Sequence, residues 1–183
     1  MRTPCRVILS VALGLMLMPS DAAGQFSLGG VMDFLERLSG PKFDGYGVTA
    51  ARRLGESPVR LRATAIWHDA DEEEDGDEVE ISMDSYQLAG ELLLPRFPVD
   101  IGAGVAYHSF GGDVDDFTHF SIPVYAQVRI PLIARRFRIT PMVGYRRFSA
   151  FDETDFAPFT FDDVSRDDAE WVRFISFAVE YVF

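Results

Sequence analysis

Residues 174–183 read FISFAVEYVF, and apolar side chains occupy every second position of this stretch. The apolar positions are Ile175, Phe177, Val179, Tyr181 and Phe183. They alternate with Ser176, Ala178, Glu180 and Val182. Because successive side chains of a β-strand point to opposite faces, a period of two predicts a strand with one strongly apolar face.

The same alternation recurs along most of the chain. It is clear in 59–68, 99–108, 120–130 and 137–146, and weaker in 45–54 and 82–94. These segments are longer than the roughly 5–6 residues of an ordinary strand. They match the about 9–11 residues that a tilted strand needs to cross a bilayer. The pattern therefore predicts an all-β fold, an antiparallel up-and-down transmembrane barrel.

The two faces of these segments differ in chemistry. The face opposite the aliphatic residues carries Arg, Asp, Glu, Gln and Gly, as a polar lumen would. Aromatic residues mark the ends of the aliphatic face, as in interfacial girdles: Trp67, Tyr107, Phe137, Tyr145, Trp171, Tyr181 and Phe183. Alternation alone does not orient a face. A soluble, secreted lipocalin-like binder, with its aliphatic residues inside, is therefore the alternative.

Composition excludes several classes of protein. The 183 residues contain 29 acids and 17 bases, for a formal net charge of −12. Binding to nucleic acid is not expected, because phosphate contacts need Lys and Arg. The single cysteine, Cys5, excludes an internal disulfide, a Cys-based zinc site and an iron–sulfur cluster. We expect no cofactor.

The N-terminal part divides into two segments. Residues 1–24 combine Arg2 and Arg6, an apolar run at 7–18 and small residues, which predicts a cleaved signal peptide and an exported protein. In 25–42, Val31, Phe34, Leu35 and Leu38 have helical spacing, and Gly40-Pro41 follows. This predicts a short amphipathic helix, with the barrel domain at 43–183.

The last strand resembles the C-terminal β-signal of bacterial outer-membrane β-barrel proteins. The pattern over 43–183 is most similar to the small eight-stranded OmpA/OmpX-type barrels. The resemblance implies the outer membrane of a Gram-negative bacterium, short periplasmic turns and longer outer loops. It also implies recognition by the barrel-assembly machinery, through Ile175, Phe177, Val179, Tyr181 and Phe183, and contact with outer-membrane lipid and lipopolysaccharide.

Strand counting leaves one strand to be found. Seven β-segments are predicted, at 43–54, 58–68, 79–94, 98–110, 118–130, 137–149 and 171–183. Bacterial barrels use even numbers of strands. We therefore expect an eighth strand in 25–30 or in a different division of 25–54.

Charged residues alternate with the aliphatic ones near the predicted periplasmic end. They are Arg60, Arg62, Glu91, Asp100, Arg129, Arg138 and Glu180. Neighbouring strands should bring Arg62 near Glu91, Asp100 near Arg129, and Arg138 near Glu180. Because buried charges persist only when paired, these residues predict a salt-bridge network that closes the lumen. A narrow, porin-like pore for small solutes is the alternative, although an eight-stranded barrel barely accommodates its own side chains.

The predicted outer loops are strongly acidic. A solvated surface is the favoured interpretation, and binding of divalent cations, including bridges to lipopolysaccharide, is the alternative. Asp71, Glu73, Asp75 and Asp77 partly match a Ca²⁺-binding loop, but the twelfth position is Ser82 instead of Glu. The match is weak.

Histidines near the predicted outer rim raise the question of catalysis. His68, His108, His119 and Ser109 lie there, as in lipid A-modifying barrels, but no spacing matches a nucleophile–base pair. The sequence therefore predicts a protein that is not an enzyme, with a structural or cell-surface interaction role.

Overall fold

The computed structural model describes residues 26–36, 42–74, 77–94, 96–132, 136–149 and 171–183, with the backbone alone for 71–74 and 77–78. The described residues form nine β-segments: β1 Phe26–Leu35, β2 Phe43–Arg53, β3 Val59–Glu74, β4 Asp77–Leu93, β5 Val99–Gly112, β6 Phe117–Val128, β7 Ile130–Leu132, β8 Phe137–Phe148 and β9 Trp171–Val182.

These segments form a closed antiparallel barrel of eight strands. Each segment from β1 to β5 pairs with the next one, and β8 pairs with β9. The segments β6 and β7 are two parts of one barrel strand, since both pair with β8. Pairing of β9 with β1 closes the sheet. The predicted eight-stranded barrel is therefore confirmed.

The missing eighth strand is β1, and the predicted helix is wrong where the structure describes it. Residues 31–35 continue β1, so the barrel begins at Phe26 and not near residue 43. Strand pairing prevails because β1 is hydrogen-bonded on both edges, whereas an isolated helix this short is marginal in water. Residues 37–41, and the predicted signal peptide at 1–24, lie outside the described residues. None of the described residues belongs to a helix long and apolar enough to cross a membrane.

The two ends of the barrel differ. One end, here called the turn end, holds the β2–β3 and β4–β5 turns, and there the Phe183 amide donates a hydrogen bond to the Phe26 carbonyl oxygen at 3.0 Å. At the opposite end, here called the loop end, β3 and β4 pair with each other beyond their other neighbours. The β2–β3 pairing reaches only Asp69, and the β4–β5 pairing only Ile81, so residues 70–74 and 77–80 pair with each other as two strands beyond the rest of the barrel.

The strands turn their aliphatic face outward. On β9, Ile175, Phe177 and Val179 are exposed, whereas Ser176, Ala178 and Glu180 between them are buried. The other strands repeat this arrangement, with exposed Val105, Phe120, Ile122, Val124 and Val143. The lipocalin-like alternative required the opposite orientation, and the structure contradicts it.

Close approach between strands makes some inward positions obligatory glycines. A Cβ atom at Gly47 would overlap the backbone carbonyl oxygen of Ala65 on the neighbouring strand, whereas a Cβ atom at the outward Gly90 would meet nothing within 4 Å. Gly47 therefore leaves no room for a side chain, whereas Gly90 does, and the two strand positions form a matched pair for comparison.

We expect Gly47→Ala to lower the free energy of unfolding by about 1–3 kcal/mol, because the added methyl group must displace backbone. The matched Gly90→Ala variant should stay within about 0.5 kcal/mol of the parent protein. Urea unfolding in detergent, followed by gel mobility, measures both. Equal stability of the two variants would contradict this account of the strand contact.

Candidate functional site

Two arginines of β3 share one carboxylate inside the barrel near the turn end. Arg60 lies directly opposite Glu91 in the β3–β4 register, and its Nε atom donates to Glu91 Oε2. Arg62 Nε donates to Glu91 Oε1 at 2.6 Å, and the Tyr125 hydroxyl donates to the same oxygen at 2.8 Å. Glu91 thus accepts hydrogen bonds from three side chains while fully buried.

Glu180 holds a second set of donors on the other side of the lumen. Arg138 lies opposite Glu180 in the β8–β9 register, and its Nε atom donates at 2.9 Å. The hydroxyl groups of Ser27 and Thr140 donate at 2.9 and 2.8 Å, and Arg62 Nη1 donates at 3.2 Å. Arg62 therefore links the two carboxylates.

Asp100 completes this network. Its carboxylate lies 2.8 Å from Arg129 Nε and 3.5 Å from Arg60 Nη2. The structure therefore brings together all seven charged residues that the sequence selected, and the three expected pairs are in contact: Arg62 with Glu91, Arg129 with Asp100, and Arg138 with Glu180. We refer to these seven residues as the ionic network. Pairing of this kind offsets the cost of removing the charges from water.

A second polar chain lies nearer the loop end, and the sequence analysis missed it. Asp33 Oδ2 is 2.9 Å from His68 Nε2, and Ser85 Oγ is 3.3 Å from His68 Nδ1 and 2.8 Å from His108 Nδ1. His108 Nε2 in turn lies 2.7 Å from Ser121 Oγ. We refer to these five residues as the histidine chain. All five are buried.

Arg146 and Ser176 anchor the histidine chain at Asp33. Arg146 Nη2 lies 2.8 Å from Asp33 Oδ2, and the Ser176 hydroxyl donates to Asp33 Oδ1. The Arg146 guanidinium also lies 4.6 Å from the centre of the Phe174 ring, a distance typical of a cation–π contact. Phe174 packs on Tyr125, whose hydroxyl reaches Glu91, so contacts connect the histidine chain with the ionic network.

The outcome for the predicted rim residues is mixed. His68 and His108 are buried in the lumen, and His119 lies at the loop end with its Nδ1 atom 2.8 Å from Ser149 Oγ. Ser109 lies opposite Asp84 in the outward register. Inward alternation places Asp33, His68 and His108 on one face, but the helical interpretation of 30–40 concealed Asp33.

Aromatic side chains cover the histidine chain towards the loop end. Phe110 stacks on Phe117 with ring centres 4.5 Å apart and contacts Phe43 at 6.1 Å. Phe148 lies 4.8 Å from the His108 ring. We refer to Phe43, Phe110, Phe117 and Phe148 as the aromatic cap, since together they separate the histidine chain from the loop end.

The remaining predicted sites have different outcomes. Side chains of the Ca²⁺ candidates Asp71, Glu73, Asp75 and Asp77 lie outside the described residues. Within the described residues, no cluster of three His, Cys, Asp or Glu side chains could hold a metal ion. On β9, Tyr181 packs on Phe137 and Phe183 with ring centres 5.2 and 4.8 Å apart, and Ile175, Phe177 and Val179 face outward.

We expect Glu180→Gln to lower the free energy of unfolding by about 3 kcal/mol, because it leaves buried arginines without their shared carboxylate. The control is Glu36→Gln, which removes an ion pair with Arg173 in an exposed position, where such pairs contribute little. Urea unfolding of the two variants provides the comparison. If Glu36→Gln were as damaging as Glu180→Gln, the ionic network would not be the stabilising element.

Comparisons with known proteins agree with the fold. No family model and no curated protein matches the sequence. Among solved structures, Neisserial surface protein A (NspA) is similar with a TM-score of 0.56 and 13% identity, covering 90% of this chain and 100% of that one.

Two further structures have lower scores. The N-terminal β-barrel domain of Pseudomonas aeruginosa OprF has a TM-score of 0.45 and 13% identity, with coverage of 86% of this chain and 99% of that one. The Yersinia pestis attachment invasion locus protein Ail has a TM-score of 0.46 and 16% identity, with coverage of 87% and 97%. The likeness to NspA supports what the strand pairing establishes, that this chain has the fold of a small eight-stranded β-barrel.

Proposed function

We propose that this chain is an outer-membrane β-barrel protein with a sealed lumen, and that it has a structural or cell-surface interaction role. The observation that carries the proposal is the distribution of side chains. The outer wall exposes aliphatic residues, and the interior buries paired charges. A protein surrounded by water would need the reverse arrangement, whereas a barrel surrounded by lipid needs this one.

The exposed apolar surface is continuous around the wall. Val105 on β5, Phe120 on β6 and Val179 on β9 are 60%, 65% and 52% exposed. A contiguous apolar belt of this kind is unfavourable in water, at roughly 25 cal/mol for each Å². A hydrocarbon environment removes that cost.

Aromatic side chains flank the belt at both ends. At the turn end, Phe137, Tyr181 and Phe183 pack on one another. Towards the loop end, Tyr46 contacts Trp67 with ring centres 6.3 Å apart, and Tyr107 contacts Phe120 at 5.3 Å. Two such girdles are typical of the polar–apolar boundaries of a bilayer, and they support a membrane-spanning position.

The sealed interior argues against the second candidate, a narrow pore. The ionic network crosses the lumen near the turn end, and the aromatic cap lies over the histidine chain towards the loop end. An open path would require separating buried ion pairs such as Arg62–Glu91 and Arg138–Glu180, which costs several kcal/mol for each charge left unpaired. The same closure argues against an enzyme that uses His108 and Ser121, since neither side chain is accessible to a substrate.

The proposed orientation places the turn end in the periplasm and the loop end outside the cell. The last strand, ending in Tyr181 and Phe183, then serves as the signal for the barrel-assembly machinery. The acidic loop end, where residues 70–74 and 77–80 extend beyond the barrel, is the part available for contacts at the cell surface, through divalent cations or directly.

We expect the protein to fractionate with the outer membrane and to change gel mobility on boiling, because a closed barrel resists unfolding in detergent at room temperature. Membrane fractionation followed by paired boiled and unboiled samples makes the measurement. Glu91→Ala serves as a destabilised control. It leaves Arg60 and Arg62 without their shared carboxylate, so the intensity of the folded band should fall. A soluble periplasmic protein with no mobility shift would contradict the proposal.

We expect no discrete channel conductance from the reconstituted protein in a planar bilayer, since the ionic network and the aromatic cap close the lumen. A general porin reconstituted in the same way serves as the positive control. Steady single-channel steps from the wild-type protein would favour the pore and contradict the sealed lumen.

A further inference from the structure

Two arginines and two aromatic residues form a patch on the outer wall near the loop end. Arg147 of β8 lies opposite Trp171 of β9, and Tyr145 of β8 lies opposite Arg173. All four side chains are exposed. We refer to them as the basic patch. Cations on the outer wall are notable in a chain with a formal net charge of −12.

The depth of the patch fits a membrane boundary. It continues the outward columns of Val143 on β8 and Ile175 on β9, which belong to the apolar belt. An arginine on a lipid-facing wall costs about 2–4 kcal/mol at the bilayer midplane but little near the interface. Trp171, a residue type typical of the interface, lies beside Arg147, with its ring centre 5.9 Å from the guanidinium carbon.

The two arginines differ in their partners. Arg173 forms an ion pair with Glu36. Arg147 lies over the Trp171 ring, and within the described part of the chain no carboxylate pairs with it. The exposed guanidinium of Arg147 presents hydrogen-bond donors on the outer wall. The planar guanidinium fork matches the oxygens of a phosphate better than a lysine ammonium does.

A groove of about 360 Å³ begins at Arg147 and runs along the outer wall. Its lining includes Val105, Phe120, Ile122, Arg147, Phe148 and Ser149. The strand pairing explains its position. The β5–β6 register is interrupted between Ala103↔Val124 and Ala106↔Ser121, beside Pro123, a residue without a backbone N–H. On the other side, the described pairing of β6 with β8 begins at Ser121 and Phe148, and a hydrogen bond from the Ser149 amide to the Phe120 carbonyl oxygen lies beyond it.

We propose that this groove and Arg147 form a binding site for a phosphorylated glycolipid of the outer leaflet, namely lipid A of lipopolysaccharide. Arg147 binds a phosphate group, and Val105, Phe120 and Ile122 contact an acyl chain. Charge complementarity supports this occupant, because Arg147 offers a cation where the acidic chain would otherwise repel an anionic headgroup. The choice of an outer-leaflet lipid rests on the proposed function, which directs the loop end to the cell surface.

The test uses the full-length mature protein in phosphatidylcholine nanodiscs, with Trp67→Phe so that Trp171 is the remaining tryptophan of the pair in the sequence. Purified lipid A with both phosphates is titrated in, and Trp171 fluorescence reports binding beside Arg147. We expect Arg147→Gln to weaken binding about tenfold, the magnitude of a lost charge-assisted hydrogen bond. Arg96→Gln, an exposed arginine in a turn at the opposite end, should leave binding unchanged.

A second pair of variants tests the groove independently of charge. We expect Val105→Phe to fill the groove and weaken binding of lipid A about threefold or more. Val143→Phe places the same side chain on the outer wall away from the groove lining and should have no effect. If Arg147→Gln fails to fold, as judged by the mobility shift on boiling, Val105→Phe and Arg147→Lys decide the question.

Several outcomes would overturn the assignment. If dephosphorylated lipid A bound as tightly as lipid A with both phosphates, the proposed phosphate contact would be wrong. If phosphatidylglycerol bound as tightly as lipid A, the site would be a general anion-binding surface and not a lipid A site. Unchanged binding by both Arg147→Gln and Val105→Phe would remove the site. A protein that inserts and shifts on boiling but fails these tests refutes this inference alone, whereas one that never inserts also refutes the proposed function.

Discussion

Closure of the barrel depends on the hydrogen bonds between β1 and β9. In hydrocarbon, an unpaired backbone N–H or C=O costs several kcal/mol, so a sheet can cross a bilayer only if it has no open edge. This requirement for a closed sheet also determines the structure of the first described residues. Phe26–Leu35 must be a strand because β9 would otherwise leave a row of unpaired backbone groups at an open sheet edge. Closure also fixes the size of the lumen, and the remaining interior chemistry follows from that size.

A lumen of eight strands has room for side chains and little else, so the charges inside it must satisfy one another. Arg62 shows how this is done, since it bridges Glu91 and Glu180 from opposite walls. The histidine chain uses a different solution, with the Ser85 hydroxyl group between two imidazoles and the Ser121 hydroxyl group at the Nε2 atom of His108. Together with the aromatic cap, both arrangements line the described interior with buried side chains that contact one another.

The sequence predicted the ionic network because the alternation within each strand shows which of its residues share a face. Arg60, Glu91, Arg138 and Glu180 are all out of phase with strongly aliphatic neighbours, so their common face was visible before any pairing was known. The histidine chain was not predictable in the same way. It requires Asp33, which lies in a segment whose apolar residues also fit a helix, and it requires the cross-strand distance between Ser85 and two different histidines.

By itself, the sequence determined the strand segments, their alternating faces and the charged residues that share the inner one. These are local properties, set by a period of two along the chain. Only the tertiary structure decided which face points outward, that 26–35 is a strand, and where the β5–β6 pairing is interrupted beside Pro123. Those features depend on pairing between segments far apart in sequence, above all between β1 and β9, and closure cannot be read from any one strand.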